Sequence, residues 1–170
     1  MLYLDYDGVL HPDEVYVTRS QGIALRAKDH VLFEGAPRLI EMLAPYPELR
    51  IVLSTTWVRI LGFERAKGYL PVSLAGRVIG ATFHRRLMDR YAFQEFSRGE
   101  QILSDVNRRQ AGGWLALDDD DERWSGAYRD HLVRCSSESG LLYDERAQRG
   151  LCENLSRLEC AIPRLMKQKG

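Results

Sequence analysis

Leu2-Tyr3-Leu4-Asp5-Tyr6-Asp7-Gly8-Val9-Leu10 (LYLDYDGVL) is the stretch on which the fold turns. Leu2-Tyr3-Leu4 reads as a short buried strand that ends in polar chemistry at Asp5. An ionised carboxylate at the end of a buried strand needs a metal, a cation or several hydrogen bonds to offset its lost hydration. Asp5 and Asp7 lie two residues apart, and Gly8 can take a positive φ and turn the chain sharply, so both acids can face one site. Asp-Gly between apolar residues is also a leading hairpin signal. The strand-end position of Asp5 favours the site over the bare turn.

Outward from this stretch, apolar strands alternate with helical segments. Gly35-Ala36-Pro37 opens a helix carrying Leu39, Ile40, Met42 and Leu43, with Pro37 suited to its first turn and Pro45 and Pro47 stopping it. Arg50-Ile51-Val52-Leu53-Ser54 reads as a second strand, and residues 57–69, with Val58, Leu61 and Ala66, read as a helix closed at Pro71. From Val72 to Phe96 the pattern is irregular, with a short strand at Arg77-Val78-Ile79. Ser97 and Glu100 fit a capping box for a helix carrying Ile102, Leu103 and Val106, expected to end at Gly112-Gly113. Trp114-Leu115-Ala116-Leu117 and His131-Leu132-Val133-Arg134-Cys135 are the third and fourth strands, and a last helix places Leu151, Leu155, Leu158 and Ile162 on one face before Pro163. This alternation predicts a doubly wound α/β fold, a mainly parallel sheet with helices on both faces. Ligands in that class bind beyond the carboxyl ends of the strands, where Asp5, Ser54 and Asp118 fall.

The length of 170 residues suits a single domain over residues 1–170, and 45% apolar with 28% charged residues is an ordinary globular balance. Lys+Arg and Asp+Glu are 24 each, so no global field favours polyanions, and any nucleic-acid contact rests on a local basic surface. Three cysteines without a CxxC pair and the absence of a leader-like start imply a cytoplasmic location, and no apolar run approaches the roughly 20 residues of a membrane span.

Asp118-Asp119-Asp120-Asp121 follows an apolar strand. There carboxylates suit a hard cation such as Mg²⁺ better than they suit a solvated loop. Ser54-Thr55-Thr56 is an ordinary helix cap that could also hold a phosphate oxygen. Arg98, in the first turn of a helix, opposes the macrodipole by about 0.3–1 kcal/mol, so a nearby carboxylate or anion is expected to compensate it. Were Arg98 mere decoration, its removal would leave the helix unchanged or steadier. Rival chemistries lack their residues: Cys152 and Arg157 have four residues between them where a cysteine phosphatase needs five, no GxxxxGK[ST] occurs, and His11, His30, His84 and His131 lack zinc-site spacing. Each histidine is expected to be a surface or internally satisfied one.

LYLDYDGVL (Leu2 to Leu10), IVLS (Ile51 to Ser54), Arg98 and LDDD (Leu117 to Asp120), in that order, resemble the haloacid dehalogenase-like (HAD) hydrolase superfamily. Trp57 after Ser54-Thr55-Thr56 is similar to a small, capless bacterial subgroup resembling the HAD domains of RNA-repair proteins. The resemblance implies a Mg²⁺-dependent phosphatase with Asp5 as nucleophile and Asp7 as acid and base. It implies that Ser54, with Thr55 and Gly8, binds the phosphate, and that Arg98 neutralises it where many members have lysine. It also implies Mg²⁺ on Asp5, the Asp7 carbonyl and an acid of the later run, either Asp118 or Asp119. The chemistry suits the residue types, because a carboxylate nucleophile divides hydrolysis into two steps while a metal and a cation offset charge repulsion.

Inserts of 24 residues between Leu10 and Gly35 and 39 between Trp57 and Ser97 are too short for a large cap, so an open site is expected. An open site suits a phosphorylated small molecule or a nucleic-acid end. Arg77, Arg85, Arg86 and Arg90 among Phe83, Tyr91, Phe93 and Phe96 could track the latter, unless those aromatics pack the core. The alternative from another class is a HAD-like binding or interaction module with little turnover. Retention of both Asp5 and Asp7 argues against it.

Overall fold

The computed structural model describes the backbone of residues 1–18 and 22–167 and the side chains of residues 1–16 and 23–160. Five parallel strands form the central sheet: β1 (Leu2–Leu4), β4 (Ile51–Leu53), β5 (Val78–Ala81), β6 (Leu115–Asp118) and β7 (Leu132–Arg134), in the order β5-β4-β1-β6-β7. Alternate side chains of a strand face opposite sides, and both sides are covered. Leu2, Leu4, Ile51, Leu53, Leu115 and Leu117 join one core with Leu39 and Leu43 of α1 (Ala36–Leu43) and Leu151 and Leu155 of α8 (Glu145–Lys167). Tyr3, Val52 and Ala116 face the other way, onto Ile102 and Val106 of α6 (Arg98–Arg109) and onto Trp114 and Trp124. The expected doubly wound architecture is therefore present, without a large cap.

Several details depart from the sequence expectation. β2 (Val15–Thr18) pairs antiparallel with β3 (Gly22–Leu25), where no element was expected. The helix expected over 57–69 is two, α2 (Thr56–Leu61) and α3 (Phe63–Lys67), because Gly62 takes φ 89° and ψ 157° and breaks the ladder between them. The irregular stretch from Val72 holds α4 (Val72–Ala75), the edge strand β5 and α5 (Arg90–Glu95). Asp89 caps α5 by accepting from the Tyr91 and Ala92 amides. β5 begins one residue later than expected and runs on through Gly80, where a Cβ would stand 2.5 Å from Arg109 Nη2.

The capping box of Ser97 and Glu100 starts α6 as expected, but Gln110 in the left-handed region ends it, ahead of Gly112-Gly113. Asp118 lies within β6, and a 3-10 turn (Gly126–His131) takes up His131 ahead of β7. After α7 (Gly140–Tyr143), α8 passes Pro163 without stopping: the ring removes a single helical hydrogen bond, and the backbone remains helical to Lys167. The side chain of Ile162 lies outside the described residues. No helix among the described residues is long and apolar enough to cross a membrane.

Candidate active site

The three central strands deliver the residues that follow them to one edge of the sheet: Asp5 after β1, Ser54 and Thr55 after β4, and Asp118 with Asp119 at the end of β6. Asp5 is 3% exposed. Its Oδ1 accepts from the Tyr6 amide at 2.6 Å and its Oδ2 from Arg98 Nη2 at 2.6 Å. The Arg98 Nη1 donates to the Ser54 carbonyl, and its Nε stands 3.3 Å from Asp118 Oδ2. One guanidinium thus touches the ends of three adjacent strands. The carboxylate expected to compensate Arg98 is present: a cation at the start of α6 is matched by two buried carboxylates, so removing it would cost stability.

Asp118 is fully buried. Its Oδ1 accepts from the Asp120 amide at 3.1 Å, while Oδ2, though near Arg98, has no aligned hydrogen-bond donor. Asp119 lies across Gly8, which takes φ +68°; a Cβ there would stand 2.2 Å from Asp119 Oδ2. Asp5, Asp118 and Asp119 each offer an oxygen, all within 4.8 Å of one another. Asp120 and Asp121 play other parts: Asp120 Oδ1 accepts from the Glu122 amide, and Asp121 pairs with Arg129 and Arg134.

Charge crowding shows in the acidities. Burial, with the charge of Asp7, pushes Asp5 up to about 6 against the pull of Arg98 and of hydrogen bonds from Tyr6 and Thr55. Burial and then Asp5 and Asp13 push Asp119 up to about 7, and burial holds Asp118 well above the usual carboxylate range despite Arg98. Burial works against the charge of Arg98, but Asp5, Asp118, Asp120 and Asp119 outweigh it and raise its pKa. A divalent cation fits this set: the donors are hard oxygens, three carboxylates share the single guanidinium of Arg98, and Asp118 Oδ2 has no aligned donor.

A stability consequence follows. Because the folded pKa values exceed the unfolded ones, the metal-free fold should be steadiest below about pH 4 as far as these groups are concerned and lose stability as pH rises towards 6–7. Melting curves from pH 4 to 8 with and without Mg²⁺ should diverge towards the alkaline end. Coincident curves would count against a metal on this cluster.

Asp7 is held differently. The indole Nε1 of Trp57 donates to both its oxygens, at 2.8 and 3.0 Å, and Thr56 Oγ1 makes a longer contact of 3.5 Å. His11, fully buried, accepts the Phe33 amide at Nδ1 (3.3 Å), which leaves Nε2–H to donate to Asp7 Oδ1 at 3.2 Å. Trp57 is itself fixed by edge-to-face rings of Tyr6, Phe33 and Tyr69. His11 is a satisfied histidine, as expected, but its partnership with Asp7 went unforeseen; the four-residue spacing across the Gly8 turn was the available signal.

Ser54 is buried with its Oγ unpartnered, and its amide donates to the Leu4 carbonyl at 2.8 Å. Thr55 caps α2 by accepting from the Trp57 amide at 3.3 Å. Of the arginine and aromatic segment, Phe83 and Phe93 pack in the core, while Tyr91 and Phe96 are 78% and 55% exposed.

An acid pair after the first strand, a hydroxyl after the second, a helix-borne cation and further acids after the neighbouring strand, on a capless parallel sheet, define a HAD-like α/β hydrolase domain. Residues 1–145 match the family described as the HAD domain in Swiss Army Knife RNA repair proteins, and the chain belongs to that family. No curated protein and no solved structure matches the chain.

Proposed function

We propose that the chain is a Mg²⁺-dependent phosphomonoester hydrolase that works through an aspartyl phosphate on Asp5. The observation that carries this reading is the buried Asp5 carboxylate, bonded to Arg98 and within 4.8 Å of oxygens from Asp118 and Asp119. A lone structural carboxylate would have no use for two more acids at its side.

In the first step a carboxylate oxygen of Asp5 bonds to phosphorus as the bond from phosphorus to the ester oxygen breaks, and Asp7 gives its proton to the departing oxygen. In the second, Asp7 takes a proton from water, and the water oxygen bonds to phosphorus. The bond to Asp5 breaks, phosphate leaves, and both aspartates return to their starting states. Arg98 stays charged beside Asp5 throughout, and the free Ser54 hydroxyl and Thr55 hold phosphate oxygens. The positive φ of Gly8 lets the backbone approach the same group. Asp5, the Asp7 carbonyl and Asp119 or Asp118 would hold Mg²⁺, which would supply charge that offsets repulsion between nucleophile and phosphate. The substrate is a phosphorylated small molecule or a nucleic-acid end. The RNA-repair family and the exposed Tyr91 and Phe96, in the same segment as the exposed Arg85, Arg86 and Arg90, support the latter.

Phenyl phosphate should be hydrolysed with Mg²⁺ and not after metal removal. Full turnover in excess EDTA, with metal loss confirmed, would overturn the metal-dependent mechanism. Trp57→Phe keeps an aromatic ring among Tyr6, Phe33 and Tyr69 but shortens the bicyclic indole to a phenyl and removes the N–H that orients Asp7. A hydrogen bond to a charged group is worth about 1.5–3 kcal/mol, so kcat should fall roughly 10- to 100-fold for a poor leaving group. The loss should be smaller for a good leaving group, which needs less help from an acid. Equal losses on both would detach Trp57 from proton transfer.

A further inference from the structure

A cavity of about 370 Å³ lies between α2, the Gly62 turn, Ile79, Gly80 and Ala81 of the edge strand β5, and the residues that leave that strand. Ala81 of β5 pairs with Leu53, and the Thr82 amide donates to the Leu53 carbonyl at 2.9 Å. Phe83, His84 and Arg85 therefore leave the sheet beside the point where the chain passes from Leu53 into Ser54. Arg59 lies one helical turn beyond Thr55. The cavity is thus lined from α2, the helix that Thr55 caps, and from the strand that pairs with β4, whose end leads into Ser54, within the zone where folds of this class bind ligands.

Its lining is apolar apart from Arg59, His84 and Arg85, and includes no carboxylate. Among the described residues neither arginine forms an ion pair. Arg59 Nη1 and His84 Nε2 are shielded from solvent and have no hydrogen-bond partner. Arg59 also lies in the field of the site cation: burial, then the charges of Arg98 and Arg90, lower its pKa. A chain with equal numbers of acidic and basic residues thus leaves Arg59 and Arg85, among the described residues, without an ion pair around this cavity. A guanidinium in that state is suited to an oxyanion, which accepts short, charge-assisted hydrogen bonds. An apolar pocket with a few polar groups is the usual form of a small-molecule subsite.

We propose that this cavity is an anion subsite for a second phosphate of the same substrate molecule whose first phosphate is presented to Asp5. Arg59 and Arg85 supply the charge, His84 a further polar nitrogen, and Phe63 and Phe83 an apolar wall for the body joining the two groups. The word substrate rests on the phosphatase reading above; the subsite itself rests on the cavity. The second phosphate can be a monoester, as in a nucleoside bisphosphate, or a diester, as in a nucleic-acid strand.

The test uses Asp5→Asn protein in Mg²⁺ buffer, titrated calorimetrically with adenosine 5′-monophosphate, adenosine 3′,5′-bisphosphate and a 5′-phosphorylated adenosine dinucleotide. At least one of the last two should bind roughly tenfold tighter than the monophosphate, and Arg59→Met in the same background should abolish that preference. Arg59→Lys, which keeps the charge, should retain part of it. The tighter of the two ligands identifies the second phosphate as monoester or diester. Equal binding of all three ligands, or a preference that survives in Arg59→Met, overturns the subsite. Phenyl phosphate turnover by the unmutated chain is measured alongside. No turnover with Arg59-dependent binding removes the phosphatase reading and keeps the subsite, and turnover without that dependence does the reverse.

Discussion

Asp5→Asn should lower kcat for phosphomonoester hydrolysis by about three orders of magnitude or more, equivalent to about 4 kcal/mol of barrier. The amide keeps the shape of the carboxylate and can still accept from Arg98, but it cannot form a covalent phosphoryl intermediate in the same way. The fold should tolerate the change. Burial is the largest influence on the Asp5 acidity, so the ionised group is itself under strain at neutral pH, and an uncharged replacement relieves it. The melting temperature of the metal-free variant is therefore expected to equal or exceed that of the unmutated chain above pH 7. Near-normal turnover in a correctly folded Asp5→Asn protein would remove Asp5 as nucleophile.

Arg98→Ala should damage both activity and stability. Loss of a preorganised charge beside the transferring group typically costs about 3–4 kcal/mol, or roughly 10²–10³ in rate. The same substitution strips Asp5 and Asp118 of their shared cation, and breaking a buried pair by removing one partner costs about 3–5 kcal/mol when the other stays charged. Both carboxylates can escape by taking a proton, since both already have raised pKa values. The drop in melting temperature should therefore be large at pH 8 and shrink towards pH 5. Arg98→Lys restores the charge, but an ammonium cannot reach Asp5, the Ser54 carbonyl and Asp118 together, so recovery should be partial. Unchanged kcat/KM in Arg98→Ala would move the cation role to Lys67 or Arg85.

The residues that converge on the site were legible because each sits at the end of a strand or the start of a helix, where local pattern and function coincide. Leu2-Tyr3-Leu4 before Asp5, Ile51-Val52-Leu53 before Ser54, and Ser97 with Glu100 around Arg98 needed only periodicity and capping chemistry. What escaped was tertiary in origin. The strand expected at Arg77-Val78-Ile79 is present as β5, but its extent was not legible, because Gly80 and one exposed position leave little pattern and pairing with β4 sets where it ends. The antiparallel pairing of β2 with β3 is one that no local run announces. The hold of His11 and Trp57 on Asp7 joins residues up to 50 apart in sequence. Trp57 stood out in the sequence as a marker of kind; only its position beside Asp7 gives it a chemical task.

Gly8 and Asp119 compete for one volume, since the space a side chain would occupy at Gly8 is filled by the Asp119 carboxylate. Mechanically, the loop after β1 and the loop after β6 are meshed like two teeth, and neither can shift far without displacing the other. Placement of the acid that follows β6 is therefore inherited from the turn that follows β1. A methyl group at position 8 would disarrange the acidic cluster by displacement alone, with every carboxylate still in the chain.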